Sequence, residues 1–124
     1  LLVAMPFMSS VPDGTSALLR LGYQIMMLAG RLNWAEPELQ GLRWLVKPGD
    51  AVVDIGAAHG MYAVTLARLV GATGTVDAFE PHPRQQRTLR GWRRLLLAPQ
   101  ITVHEGAAGR ERGTLTMRLP VVVG

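Results

Sequence analysis

From residue 51 onwards the sequence alternates between short apolar runs and segments with helical spacing, and this order constrains the fold more than any other feature. The runs AVVDI (51–55), TVDAFE (75–80) and ITVHE (101–105) have the length and β-branched content of strands buried in a sheet. Helical spacing occupies the intervals 60–70 and 83–97 between them. Because short links join each strand to the next helix, the pattern predicts a parallel sheet with right-handed crossovers, an α/β fold.

Other elements are predicted on both sides of this alternating region. Apolar residues at three- and four-residue steps predict an amphipathic helix over 17–32, and its apolar face is formed by Leu18, Leu21, Ile25, Leu28 and Leu32. A second helix is predicted to begin near Glu36-Pro37 and to end before the turn KPGD (47–50). After the third strand, RERG (110–113) predicts a turn into a hairpin strand, TLTMRL (114–119). We expect residues 1–35 to be an N-terminal helical extension and residues 36–124 to form the α/β domain.

Composition excludes several other classes of protein. The 124 residues suffice for one core, and the absence of cysteine excludes disulfides and thiolate metal sites. No His, Asp or Glu cluster has metal-ligand spacing, so we expect no metal. No uncharged apolar run approaches the ~20 residues that cross a bilayer, and no signal sequence is expected. These features favour a cytoplasmic location without a transmembrane segment.

Three features meet at the carboxyl ends of the predicted strands, where ligands bind in such sheets. A turn from Gly56 to Gly60 follows the first strand and lets a ligand approach backbone N–H groups at a helix N-terminus. Glu80 ends the second strand, where a carboxylate can accept both hydroxyls of a ribose. Small residues in EGAAG (105–109) leave a slot for a flat base after the third strand. Together they predict a nucleoside pocket.

Structural interpretations of the same residues stay open. The glycines can form only a tight turn, and Glu80 can cap the helix that follows Pro81. Asp54, inside the first strand, is costly to bury unless it is bonded, and the N–H groups of the next turn are available partners. The helix predicted over 83–97 has a basic face formed by Arg84, Arg87, Arg90 and Arg94. Such a face is typical of a solvated surface, so nucleic-acid binding is the less favoured interpretation.

The spacing of the glycines and the sign of one charge distinguish two nucleoside cofactors. The dinucleotide fingerprint G-x-G-x-x-G is absent, because Gly56 and Gly60 are separated by three residues. Asp54 lies two residues before Gly56, where its negative charge opposes a pyrophosphate but attracts an ammonium or a sulfonium. These observations favour S-adenosylmethionine over a nicotinamide dinucleotide.

The stretch KPGDAVVDIGAAHGMYAVTLARLVGATGTVDAFEPHP resembles the first two motifs of class I S-adenosylmethionine-dependent methyltransferases, which have a Rossmann-like sheet. More narrowly it resembles the FkbM-type family, with its D-I-G-A-x-x-G and F-E-P-x-P motifs, over about residues 36 to 117. Members often methylate hydroxyl or carboxyl groups of sugars and natural products, which implies a small-molecule methyl acceptor. The later family motif K-I-D-x-E-G has no counterpart before Gly124, so we expect the sequence to hold the cofactor-binding part and to be truncated after the hairpin.

The resemblance also implies roles for individual residues. The methionine end of the cofactor is expected to lie against Asp54, Gly56, Ala58 and Gly60. Glu80 is expected to hold the ribose, and Pro81 and His82 to border the adenosine. No catalytic residue is assigned; His59 and His104 are candidates for a general base by residue type only.

Overall fold

A computed structural model describes residues 14–32 and 37–119 of the chain. Three parallel strands form one sheet in the order β1-β2-β3. The elements, in chain order, are α1 (Ala17–Arg31), a 3₁₀ helix (Pro37–Gly41), α2 (Leu42–Leu45), β1 (Ala51–Ile55), α3 (Met61–Val70), β2 (Thr75–Glu80), α4 (Pro83–Leu95) and β3 (Ile101–Glu105). The predicted α/β fold, a Rossmann-like parallel sheet with flanking helices, is confirmed.

The two faces of this sheet are in different surroundings. Helices α3 and α4 contact the strands, and the main core includes Val76, Ala78 and Ile101, all fully buried. Alternate residues of β1 lie on the opposite face, where Val53 and Ile55 are 59% and 66% exposed. Because paired residues of parallel strands share a face and side chains alternate along a strand, the register assigns every later site residue to one face or the other.

Helix α1 forms where the sequence predicts it, but the expected apolar face is not the buried one. The exposed side chains are those of the predicted stripe, Leu18, Leu21, Ile25, Leu28 and Leu32. The buried side chains are Leu19, Tyr23 and Met27, four residues apart. Gly22 lies between them, and a Cβ there would lie 3.2 Å from a methyl carbon of Leu96. The helix therefore packs through the side where glycine permits close approach.

Two other predicted elements differ from the structure. The second predicted helix is a 3₁₀ helix followed by one turn of α-helix. Its apolar residues are covered unequally, since Leu39 is fully buried but Leu45 is 76% exposed. The hairpin strand predicted over 114–119 is wrong, because residues 113–119 have no regular structure and are exposed. A two-stranded hairpin is marginal without an apolar surface to pack on, and here Leu115 is 80% exposed.

Helix α1 and the sheet belong to one packed body, since Leu19 is part of the same core as the strands. The division at residue 35 stays a prediction. Glu36 and the apolar start of the sequence lie outside the described residues. Within the described ranges, no helix combines the length and apolarity needed to cross a membrane.

Close packing fixes the turn that follows β1. Gly60 has φ +94°, and a Cβ there would meet Cδ1 of the fully buried Leu89 at 2.7 Å. Gly56 also has a left-handed conformation, φ +74°, but its Cβ position is open. The glycine at 60 therefore brings the start of α3 against α4.

We expect Gly60→Ala to lower the free energy of unfolding by about 1–3 kcal/mol more than Gly56→Ala does. Both variants carry the cost of a left-handed alanine, but only the first overlaps a core side chain. Urea unfolding of the two variants measures the difference. Equal losses would show that Leu89 moves aside freely and that close packing at Gly60 is unimportant.

Candidate functional site

The turn after β1 is a tight backbone structure at the carboxyl end of the sheet. The N–H groups of Gly56 and Ala57 both donate to the carbonyl oxygen of Phe79, at 2.9 and 3.0 Å. Three of its residues have positive φ angles, namely Gly56, Ala58 and Gly60. The turn thus lies directly against the end of β2, and the first turn of α3 brings backbone N–H groups to the same edge of the sheet.

Glu80 joins the loops that follow the two strands. Its side chain is buried, with 5% exposed, although it is a carboxylate. Oε2 accepts from the N–H of Ala58 at 2.8 Å, and Oε1 accepts from the N–H of His82 at 2.7 Å. Glu80 thus bonds to the backbone of His82, and it is the His82 side chain that caps α4. The other bond, to the glycine turn, spans 22 residues of sequence.

Asp54 lies on the same face of the sheet as Glu80. It pairs in register with Ala78, two residues before Glu80 on β2. Its Oδ2 atom is buried and has no hydrogen-bond partner among the residues that the structure describes. The N–H groups of Gly56, Ala57 and Ala58 donate elsewhere, to Phe79 and Glu80. The structural explanation offered for Asp54 is therefore wrong for this oxygen.

Electrostatics at Asp54 follow from this arrangement. Burial raises the pKa of its carboxyl above the ordinary value of 3.8, and the nearby negative charge of Glu80 raises it further. Both effects oppose ionisation. A cation at this position would counteract both effects, because it would stabilise the ionised carboxylate.

The segment after Glu80 is positioned by several polar contacts. His82 caps α4, its Nδ1 accepting from the N–H of Arg84 at 3.1 Å. The buried side chain of Gln86 donates from Nε2 to the carbonyl oxygen of Glu80 at 2.8 Å. Pro81 and His82, both half-buried, therefore follow a strand end that is fixed on several sides.

The structure brings the predicted cofactor residues to one edge of the sheet, and it separates the two candidate bases. His104 is paired with Phe79 in register, so it lies on the opposite face. There its ring stacks on Phe79 with centroids 4.5 Å apart, and its Nε2 lies 2.7 Å from an Asp77 oxygen. His59 is exposed in the glycine turn. Across the described ranges, no three His, Cys, Asp or Glu side chains are grouped so as to hold a metal ion.

Two glutamines in the first turn of α4 are absent from the sequence-based site. Gln86 supports Glu80 through the backbone, as described. The nitrogen of the Gln85 amide, oriented so that it faces Glu80, lies 3.0 Å from Oε1 and 3.1 Å from Oε2. A pair of amide side chains five and six residues after a strand-ending glutamate is the sequence signal that identifies them.

Two arginines of α4 contact β3, and one of them, Arg90, belongs to the predicted basic face. Arg90 forms an ion pair with Glu105 at 2.9 Å, which also engages the start of the EGAAG segment predicted to border a base. Arg93 donates from Nε to the carbonyl oxygen of Ile101 at 2.7 Å. These two arginines hold α4 on β3.

Comparison with known proteins gives structural similarity only. No protein-family model matches the chain, and no curated protein does. A Clostridium thermocellum protein assigned as an rRNA methylase is similar at 25% identity with a TM-score of 0.55, over 57% of this chain and 40% of that one. An S-adenosylmethionine-dependent methyltransferase from Aquifex aeolicus aligns at 22% identity and a TM-score of 0.54, over 71% and 46%. An S-adenosylmethionine-dependent O-methyltransferase from Thermotoga maritima aligns at 24% and 0.51, over 55% and 27%.

The chain spans less than half the length of each of these three structures. The chain has the fold of the class I S-adenosylmethionine-dependent methyltransferases.

Proposed function

We propose that this chain binds S-adenosylmethionine and is the cofactor-binding part of a methyltransferase. The observation that carries the proposal is the buried, unpartnered Oδ2 of Asp54, which lies on the same face as Glu80 beside the glycine turn. A buried carboxylate oxygen without a partner costs stability, so we infer that a cationic ligand group beside Asp54 offsets this cost.

The charge of that ligand follows from the two carboxylates. Burial raises the pKa of Asp54, and repulsion by the Glu80 carboxylate raises it further. An anionic pyrophosphate would increase the repulsion, whereas an ammonium or sulfonium group would relieve it. S-adenosylmethionine carries both positive groups, and it also carries a ribose for a strand-ending carboxylate.

The residue roles we propose follow the chain around the edge of the sheet. The methionine end lies against Asp54, Gly56, Ala58 and Gly60. The ribose hydroxyls are accepted by Glu80, and the adenosine is bordered by Pro81 and His82. The geometry that supports these roles is the convergence of the turn and the β2 end through the bond from Ala58 to Glu80.

When bound, S-adenosylmethionine supplies an electrophilic methyl group. The chain's own residues contribute binding and orientation, which carry much of the catalysis in such a displacement. We propose an FkbM-like enzyme whose acceptor is a hydroxyl or carboxyl group of a small molecule or sugar-containing compound. That acceptor class rests on the motif resemblance alone, and no residue is assigned as a general base.

Calorimetric titration with S-adenosylhomocysteine, S-adenosylmethionine and NAD tests the proposal. We expect both adenosyl ligands to bind at least about tenfold more tightly than NAD, because the dinucleotide brings its pyrophosphate to the two carboxylates. Comparable or tighter binding of NAD would overturn the proposal in favour of an oxidoreductase domain.

A further inference from the structure

The carboxylate of Glu80 is surrounded by donors before any ligand binds. Two are backbone N–H groups, of Ala58 and His82, one on each oxygen. The third is the side-chain amide of Gln85, whose nitrogen lies 3.0 Å from Oε1 and 3.1 Å from Oε2. The amide therefore spans both oxygens.

A carboxylate has about four acceptor positions, two on each oxygen. The backbone donors occupy one position on each oxygen of Glu80, so one position on each remains. A ribose diol bound to Glu80 would need those two positions, and the Gln85 amide nitrogen faces them both. Ribose and amide are thus competitors for the same atoms.

Unlike the two backbone donors, the Gln85 amide can move away from Glu80 by side-chain rotation. It is half-buried, and its side chain reaches Glu80 through rotatable bonds. Its neighbour Gln86 is buried and holds the first turn of α4 to the Glu80 carbonyl oxygen. The helix can keep its place while the Gln85 side chain swings out.

We propose that Gln85 is a gate for the ribose: its amide occupies the Glu80 carboxylate in the free protein, and a vicinal diol displaces it. The proposal rests on the proposed function, since it presumes that Glu80 receives a ribose. The two hydroxyls of a diol replace the hydrogen bonds that the Gln85 amide donates to Glu80, whereas a ligand without a diol does not replace them. Gln85 therefore lowers the affinity for nucleosides with a diol and does not affect the affinity for those without one.

The test compares the protein with its Gln85→Ala and Gln85→Leu variants by calorimetry, with S-adenosylhomocysteine, adenosine and 2′,3′-dideoxyadenosine as ligands. Leucine keeps the bulk of the side chain and removes only the donor. We expect both variants to bind the two diol ligands about two- to tenfold more tightly, the value of one net hydrogen bond, and dideoxyadenosine with unchanged affinity. Thermal unfolding of each variant confirms that it is folded.

The outcomes separate the two proposals. Weaker or unchanged binding of the diol ligands by both variants, with clear binding by the natural sequence, would overturn the gate and leave the proposed function intact. An equal gain for dideoxyadenosine would also overturn it, because the effect would then be independent of the diol. If the natural sequence and both variants bind none of the three ligands, the proposed function itself fails and the gate with it.

Discussion

Asp54→Asn is expected to lower the affinity for S-adenosylhomocysteine about ten- to a hundredfold, the value of a charge-assisted hydrogen bond. The buried Oδ2 of Asp54 is the unpartnered acceptor of the site, and asparagine keeps its shape without its charge. The same substitution is expected to raise the midpoint of thermal unfolding of the ligand-free protein at neutral pH, because it removes a charge that burial and Glu80 both disfavour. Calorimetry and thermal unfolding measure the two effects.

Asp77→Asn is the matched control for this prediction. Asp77 lies on the neighbouring strand but on the opposite face, where it contacts His104. This substitution should change the affinity for S-adenosylhomocysteine by less than about twofold and should not raise the unfolding midpoint, because it removes a surface pair. Equal affinities in the two variants would contradict the assignment of Asp54 to the ligand.

The pH dependence has a definite sign. Because the folded protein raises the pKa of Asp54 above 3.8, the proton is held more tightly in the folded state than in the unfolded chain. The stability gained from that proton is fully present below pH 3.8 and is lost as the pH rises through the folded pKa. Ligand affinity should change in the opposite direction, increasing with pH over the same interval as the carboxylate forms. In the Asp54→Asn variant, this pH dependence of stability and of ligand affinity should be absent.

The fold was accessible from sequence because each strand is a short apolar run bounded by turn residues. β1, β2 and β3 have the predicted bounds. The buried side of α1 was not accessible, since the helix carries apolar residues around much of its circumference and packing chose among them. The choice depends on Leu96, 74 residues after Gly22, and local periodicity does not include that contact.

The site shows a similar division between local pattern and tertiary contact. Spacing after β1 and β2 predicts that the glycine turn and Glu80 converge, and the bond from Ala58 to Glu80 shows that they do. Sequence spacing does not reveal that the Glu80 oxygens are already bonded to the backbone, nor that Gln85 faces them. Those facts depend on side-chain directions at a loop, which no periodic pattern encodes.

Glu80→Ala is expected to have the largest effect, because it removes a structural and a ligand-binding group together. The backbone N–H groups of Ala58 and His82 would lose their acceptor, at a cost of about 1–3 kcal/mol each, or about 2–6 kcal/mol in all. The affinity for S-adenosylhomocysteine should fall about ten- to a hundredfold on the folded fraction. Glu80→Gln keeps one oxygen, so both losses should be smaller.

Glu105→Ala separates this role from a general effect of removing a carboxylate at a strand end. Glu105 pairs with Glu80 in register, but it is exposed, and its carboxylate is bonded to the Arg90 side chain. Its removal should cost less than about 1 kcal/mol, as an exposed ion pair does, and should leave ligand affinity unchanged. Urea unfolding and calorimetry at a temperature where every variant is folded give both quantities. If Glu80→Ala loses stability as expected but keeps its ligand affinity, Glu80 only ties the two loops together, and the ribose must be held by other groups.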